Sequence, residues 1–138
     1  MLCRVKLRRT LLVCTAVSFA AIDLVHKSFA PAEFHHARTQ FVSLIMAALI
    51  AALVILVPRV PSNAAAIGAG IACGGALGNL ISVFAWSRGV PDPLAVEGTM
   101  HGLAFNLADL FAITGDALLL SAVVLHGMRH RARLGESV

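Results

Sequence analysis

Residues 74 to 109, GGALGNLISVFAWSRGVPDPLAVEGTMHGLAFNLAD, hold the key to this chain. Two apolar runs flank one polar break, and a carboxylate stands at each side of it. Asp92 lies between two prolines, and Asp109 lies just inside the apolar run that follows. A hydrophobic protein has little reason to keep two such groups, because an ionisable side chain at the membrane is costly and marks a functional candidate.

Composition sets the solvent. With 59% hydrophobic and 13% charged residues and a mean hydropathy of +0.87, the chain is far from the soluble average of roughly 25% charged residues. The apolar residues form long runs instead of a helical stripe or a strand-like alternation, which predicts lipid around most of the chain. One integral membrane domain over residues 1–138 follows. The sequence pI of 9.6 does not indicate nucleic acid, since the basic residues cluster at the termini without an interleaved aromatic groove. Cys3, Cys14 and Cys73 are odd in number and lack a C-x-x-C spacing, so neither a disulfide framework nor a zinc site is expected.

The fold class expected is an all-α membrane protein with four transmembrane helices over about 11–30, 41–57, 64–86 and 103–126, joined by short outer loops. Arg4, Lys6, Arg8 and Arg9 before the first run resemble the charged head of a signal peptide, with Ser28 and Ala30 as small residues for cleavage. Asp23, His26 and Lys27 interrupt that region and predict a retained helix instead. Asp23 and Lys27 are four apart, on one helical face, and can pair. The second run has 17 residues, about 26 Å of helix, near the lower limit for spanning. In the third, Ala66, Gly70, Gly74 and Gly78 recur every four positions, a ladder that lets another helix approach closely.

Eight basic residues fall at the termini and at Arg59, against three, Lys27, Arg38 and Arg88, on the other side. The positive-inside rule then predicts both termini in the cytoplasm. Asp92 is expected in an outer loop and Asp109 near the outer face.

Two facing carboxylates share one proton, because ionising both at close range is unfavourable, and such a pair offers a base and an acid at once. It can activate water against a peptide carbonyl. Each residue also has a structural reading. Asp92 in Pro91-Asp92-Pro93 looks like a turn residue. Asn106 could cap the fourth helix with Asp109 at its third position, close to a capping box. Asn79, among glycines, either bonds across to a neighbouring helix or orients a carboxylate. Asp116 is seven residues beyond Asp109, about 10 Å deeper, and an acid at that depth is a functional candidate. His26, His35, His36 and His101, with Glu33, Asp92 and Glu97, make a metal site conceivable, but only adjacency supports it.

Taken together, these residues resemble the lipoprotein signal peptidase family, also called signal peptidase II. The resemblance rests on Gly74 to Asn79 (GGALGN), on Asp92 after Gly89-Val90, on Phe105 to Asp109 (FNLAD) with Gly115, and on Asp23-Leu24 with Lys27. It implies an aspartyl endopeptidase that removes signal peptides from prolipoproteins just before a cysteine carrying diacylglyceryl, in the bacterial inner membrane. Asp92 and Asp109 match the catalytic pair, and Asn79, Asn106 and Asp23 match supporting positions. No metal or organic cofactor is implied.

The chain departs from the family in three places. Ser82 and Val83 stand where the family usually has Asp-Arg, and Arg88, closer to Asp92, is the candidate substitute. The connection over 31–40 is far too short to contain the β-rich segment that the family inserts there and that cradles substrate at the membrane surface, a departure that bears on substrate choice more than on chemistry. Asp116 stands at a typically small position. Two other functions compete with the peptidase: a catalytically silent relative that binds lipidated substrates, and a small proton- or ion-handling protein using Asp23, Asp109 and Asp116 along a continuous polar path.

Overall fold

The computed structural model describes residues 2–32, 34–96 and 103–135. Four helices long and apolar enough to cross a membrane make up the body: α1 (Leu2–Phe29), α2 (Gln40–Leu56), α3 (Asn63–Ala85) and α4 (Leu107–Gly135). The chain is a multi-span helical membrane protein. Thr39 caps α2 by accepting from the Val42 amide, and Ser62 caps α3 by accepting from the Ala65 amide. A single 3-10 turn, Val57–Arg59, ends α2 where Pro58 interrupts the helix.

The central helix is α3, packed along α1 on one side and α4 on the other. Its small residues explain both contacts. Gly70 and Gly74 face α1, where an added Cβ would meet Leu12 O at 2.7 Å and Phe19 Cβ at 2.6 Å. Gly68 and Gly75 face α4 and lie against backbone atoms of Leu119 and Ala108. The expected ladder therefore serves one neighbour, and a second set of glycines serves the other. Leu12, Ala16, Ala65, Ala66, Ala69 and Cys73 form the core where these helices meet.

Two features differ from the sequence expectation. The basic head does not precede the first helix but forms its opening turns, with Arg8 buried and donating to Pro58 O at 3.2 Å. The last helix starts at Leu107, not 103, because residues 103–105 pair as a strand. Four three-residue strands lie at the end of the bundle where α1 and α3 finish and α2 and α4 start: β1 (Phe34–His36), β2 (Val90–Asp92), β3 (Leu94–Val96) and β4 (Leu103–Phe105). The strand β1 pairs antiparallel with β2, Phe34 opposite Asp92 and His36 opposite Val90. Likewise β3 pairs with β4, Leu94 opposite Phe105.

Candidate active site

The two strand pairs position the carboxylates. Asp92 ends β2 two residues before Leu94, and Asn106 follows Phe105 directly, so the β3–β4 pairing brings Asp92 to the start of α4. Asp92 is thus a buried strand residue, 2% exposed, and not the turn residue its flanking prolines suggest.

Asn106 is the hinge of the site. Its backbone N–H donates to Asp109 Oδ2 at 3.2 Å, and its side-chain Oδ1 accepts from the Asp109 N–H at 3.2 Å, the reciprocal pattern of a capping box. The same side chain donates through Nδ2 to Asp92 Oδ1 at 2.6 Å. Both carboxylates therefore contact one fully buried asparagine.

Behind Asp109 runs a second buried chain of bonds. Asn79 Nδ2 donates to Asp109 Oδ1 at 3.0 Å, and Asn79 Oδ1 accepts from Lys27 Nζ at 2.8 Å. Lys27 also donates to Asp23 Oδ2 at 2.7 Å and to Ser82 Oγ at 3.2 Å, which satisfies all three ammonium hydrogens. Asp23 Oδ1 accepts from the Ala108 N–H at 2.9 Å, so α1 holds the first turn of α4 directly. Neither side chain of the Asp23–Lys27 pair is exposed. Buried charges are tolerated only when paired and hydrogen-bonded in this way.

Residues 6–125 match the sequence model of the family described as Signal peptidase (SPase) II. The chain belongs to the signal peptidase II family. No curated protein and no solved structure shows a match to it. For this signal peptidase II member, the family relation covers most of the chain, including every residue of the polar network.

Of the sequence candidates, Asp92, Asp109, Asn79, Asn106 and Asp23 lie in one network at one end of the bundle. Asp116 lies outside it: its side chain is exposed on α4 and makes no hydrogen bond among the described residues. Arg88 is exposed as well and is not the neighbour of Asp92. That neighbour is His36, whose Nδ1 contacts Asp92 Oδ2. The guanidinium nearest the pair is Arg38, with Nη2 3.9 Å from Asp109 Oδ1. Ser82 joins the network through Lys27 and donates to Gly78 O at 2.7 Å.

His36 entered the sequence reading only among the metal candidates, and Arg38 not as a site candidate, yet these are the basic groups beside the two aspartates. Their only signal was a cluster of His35, His36 and Arg38 in a connection too short for a helix. Among the described residues, no group of three His, Cys, Asp or Glu could hold a metal ion. Glu33, Glu97 and His101 of the metal reading lie outside the described residues.

Proposed function

We propose that the protein is a membrane aspartyl endopeptidase of the signal peptidase II type, in which Asp92 and Asp109 share a proton and activate water. One observation carries this: carboxylates from a strand and from a helix, 17 residues apart, are both tied to Asn106 at one end of a membrane bundle. Substrates are prolipoprotein signal peptides ending at a diacylglyceryl-modified cysteine. The setting is the bacterial inner membrane, with both termini cytoplasmic and the site at the outer face.

Asp109 is the base, because its side chain is 35% exposed whereas that of Asp92 is 1% exposed. It takes a proton from water as the water oxygen bonds to the peptide carbonyl carbon, while Asp92 delivers the shared proton to the carbonyl oxygen. The proton on Asp109 then passes to the amide nitrogen as the C–N bond breaks. One hydroxyl of the tetrahedral intermediate returns its proton to Asp92 as the new carboxyl forms. The capping box fixes the Asp109 rotamer and the Asn106 amide fixes Asp92, so little reorganisation is needed during the reaction.

The test is cleavage of a diacylglyceryl-modified prolipoprotein by purified wild type, Asp92→Asn and Asp109→Asn in detergent or lipid. Asparagine keeps the size but cannot carry the proton. Cleavage by wild type with near-complete loss in each variant supports the assignment; folded protein of all three kinds without cleavage overturns it. The ion-handling function calls for acids along a path through the bundle, and among the described residues no hydrogen bond joins Asp116 to the network of Asp23 and Asp109.

A further inference from the structure

The connection between α1 and α2 does more than join two helices. In β1, Phe34 and His36 point to one face, and across the pairing Val90 and Asp92 share that face. Phe34 is directly opposite Asp92, so His36 is its diagonal neighbour, within reach of an imidazole. Nδ1 of His36 contacts Asp92 Oδ2, the oxygen that Asn106 leaves open. Two residues on, Arg38 turns towards the other aspartate, Nη2 lying 3.9 Å from Asp109 Oδ1. That is an ion-pair distance without a direct hydrogen bond.

We propose that this connection supplies the basic partners of both candidate aspartates, His36 for Asp92 and Arg38 for Asp109, and that these two are positioning residues for cleavage. The inference rests on the peptidase assignment above. It also accounts for Val83. Arg38 and Val83 line the same groove of about 440 Å³ between α2 and α3, so a guanidinium reaches from the connection to a place where α3 offers only an apolar side chain. Its Nε is buried and makes no hydrogen bond among the described residues.

His36 has a property that Arg38 lacks. Imidazole Nδ1 donates to a carboxylate and accepts from a carboxyl group, so the contact survives in either protonation state of Asp92. The His36 side chain is 64% exposed and that of Asp92 is 1% exposed. His36 therefore stands between Asp92 and the surface of the site. Among the described residues, the charged groups on this side of the site are Asp92 on β2, Asp109 on α4 and Arg38 on the same connection as His36; Lys27 and Asp23 lie behind Asn79. His35 points to the opposite face of the strand, and Arg88 is exposed.

The experiment measures kcat, KM, pH dependence and thermal unfolding for the full-length protein with a diacylglyceryl-modified prolipoprotein. It compares His36→Gln, Arg38→Gln, Arg38→Lys, Arg88→Gln and Asp92→Asn. Loss of a charge-assisted contact predicts a fall in kcat of about ten- to a hundredfold for His36→Gln and Arg38→Gln, with KM little changed. His36→Gln removes one ionisation from the pH profile, Arg38→Lys recovers part of the Arg38→Gln loss, and Arg88→Gln behaves as wild type. Wild-type kcat and pH profile in His36→Gln, beside an inactive Asp92→Asn, overturns the inference and leaves the aspartate pair standing. So does a loss that only follows a lowered unfolding temperature, or one that Arg88→Gln shares. Full activity of Asp92→Asn overturns the peptidase assignment itself and the inference with it.

Discussion

Lys27 Nζ and Asn79 Oδ1 are 2.8 Å apart, and that bond decides which end of the amide meets Asp109. An ammonium only donates, so the asparagine oxygen must turn to Lys27 and its nitrogen to the carboxylate. A charge on the first helix thereby orients the candidate base on the fourth, through the third.

Removing that charge should be severe. Lys27→Met leaves Asp23 buried without its partner and frees the Asn79 amide to turn over. The expected cost is about 3–5 kcal/mol, read as a lowered unfolding temperature in detergent. Adding Asp23→Asn should recover part of it.

Asn106 both caps a helix and holds Asp92, and two substitutions separate these duties. Asn106→Ser keeps a capping oxygen, whereas Asn106→Ala does not. The serine variant should be more stable than the alanine variant by about 1 kcal/mol. Neither retains the amide on Asp92, so both should lose cleavage to a similar extent.

Gly89 stands at φ 102°, and a Cβ there would lie 2.6 Å from His36 O. Gly89→Ala combines left-handed strain with a clash at the strand that carries His36. We expect a cost of about 1–3 kcal/mol in unfolding measurements. Activity should fall further than stability accounts for, since β1 is pushed away from Asp92.

Close helix contact is tested by a pair of glycines. A Cβ on Gly78 would sit 2.5 Å from Asp23 Oδ2, whereas one on Gly127 meets nothing within 4 Å. Gly78→Ala should destabilise by about 1–3 kcal/mol and lower cleavage by displacing the Asp23–Lys27 pair. Gly127→Ala should be neutral or stabilising by up to about 1 kcal/mol, the helix preference of alanine.

Asp116→Asn separates the peptidase from an ion-handling protein. The side chain is exposed and lies outside the polar network, so cleavage should match wild type. Abolished cleavage would show that the site extends along α4. Proton movement across vesicles that Asp116→Asn abolishes would favour the other function.

Much of this protein was legible in its residues. Apolar runs in a chain with few charges determine four membrane helices, because backbone in lipid must satisfy its own hydrogen bonds. The four-residue spacing of Asp23 and Lys27 and the three-residue spacing of Asn106 and Asp109 determine their local contacts, since helical geometry fixes which side chains meet. The GGALGN and FNLAD runs carried the family. What the tertiary structure alone decided is which distant residues meet. Strands of three residues leave no alternation to read, and pairing of 34–36 with 90–92 is a contact across more than fifty residues, set by where α1 and α3 end. Only that pairing buries Asp92 in a strand, sets His36 and not Arg88 against it, and turns a short polar connection into part of the site.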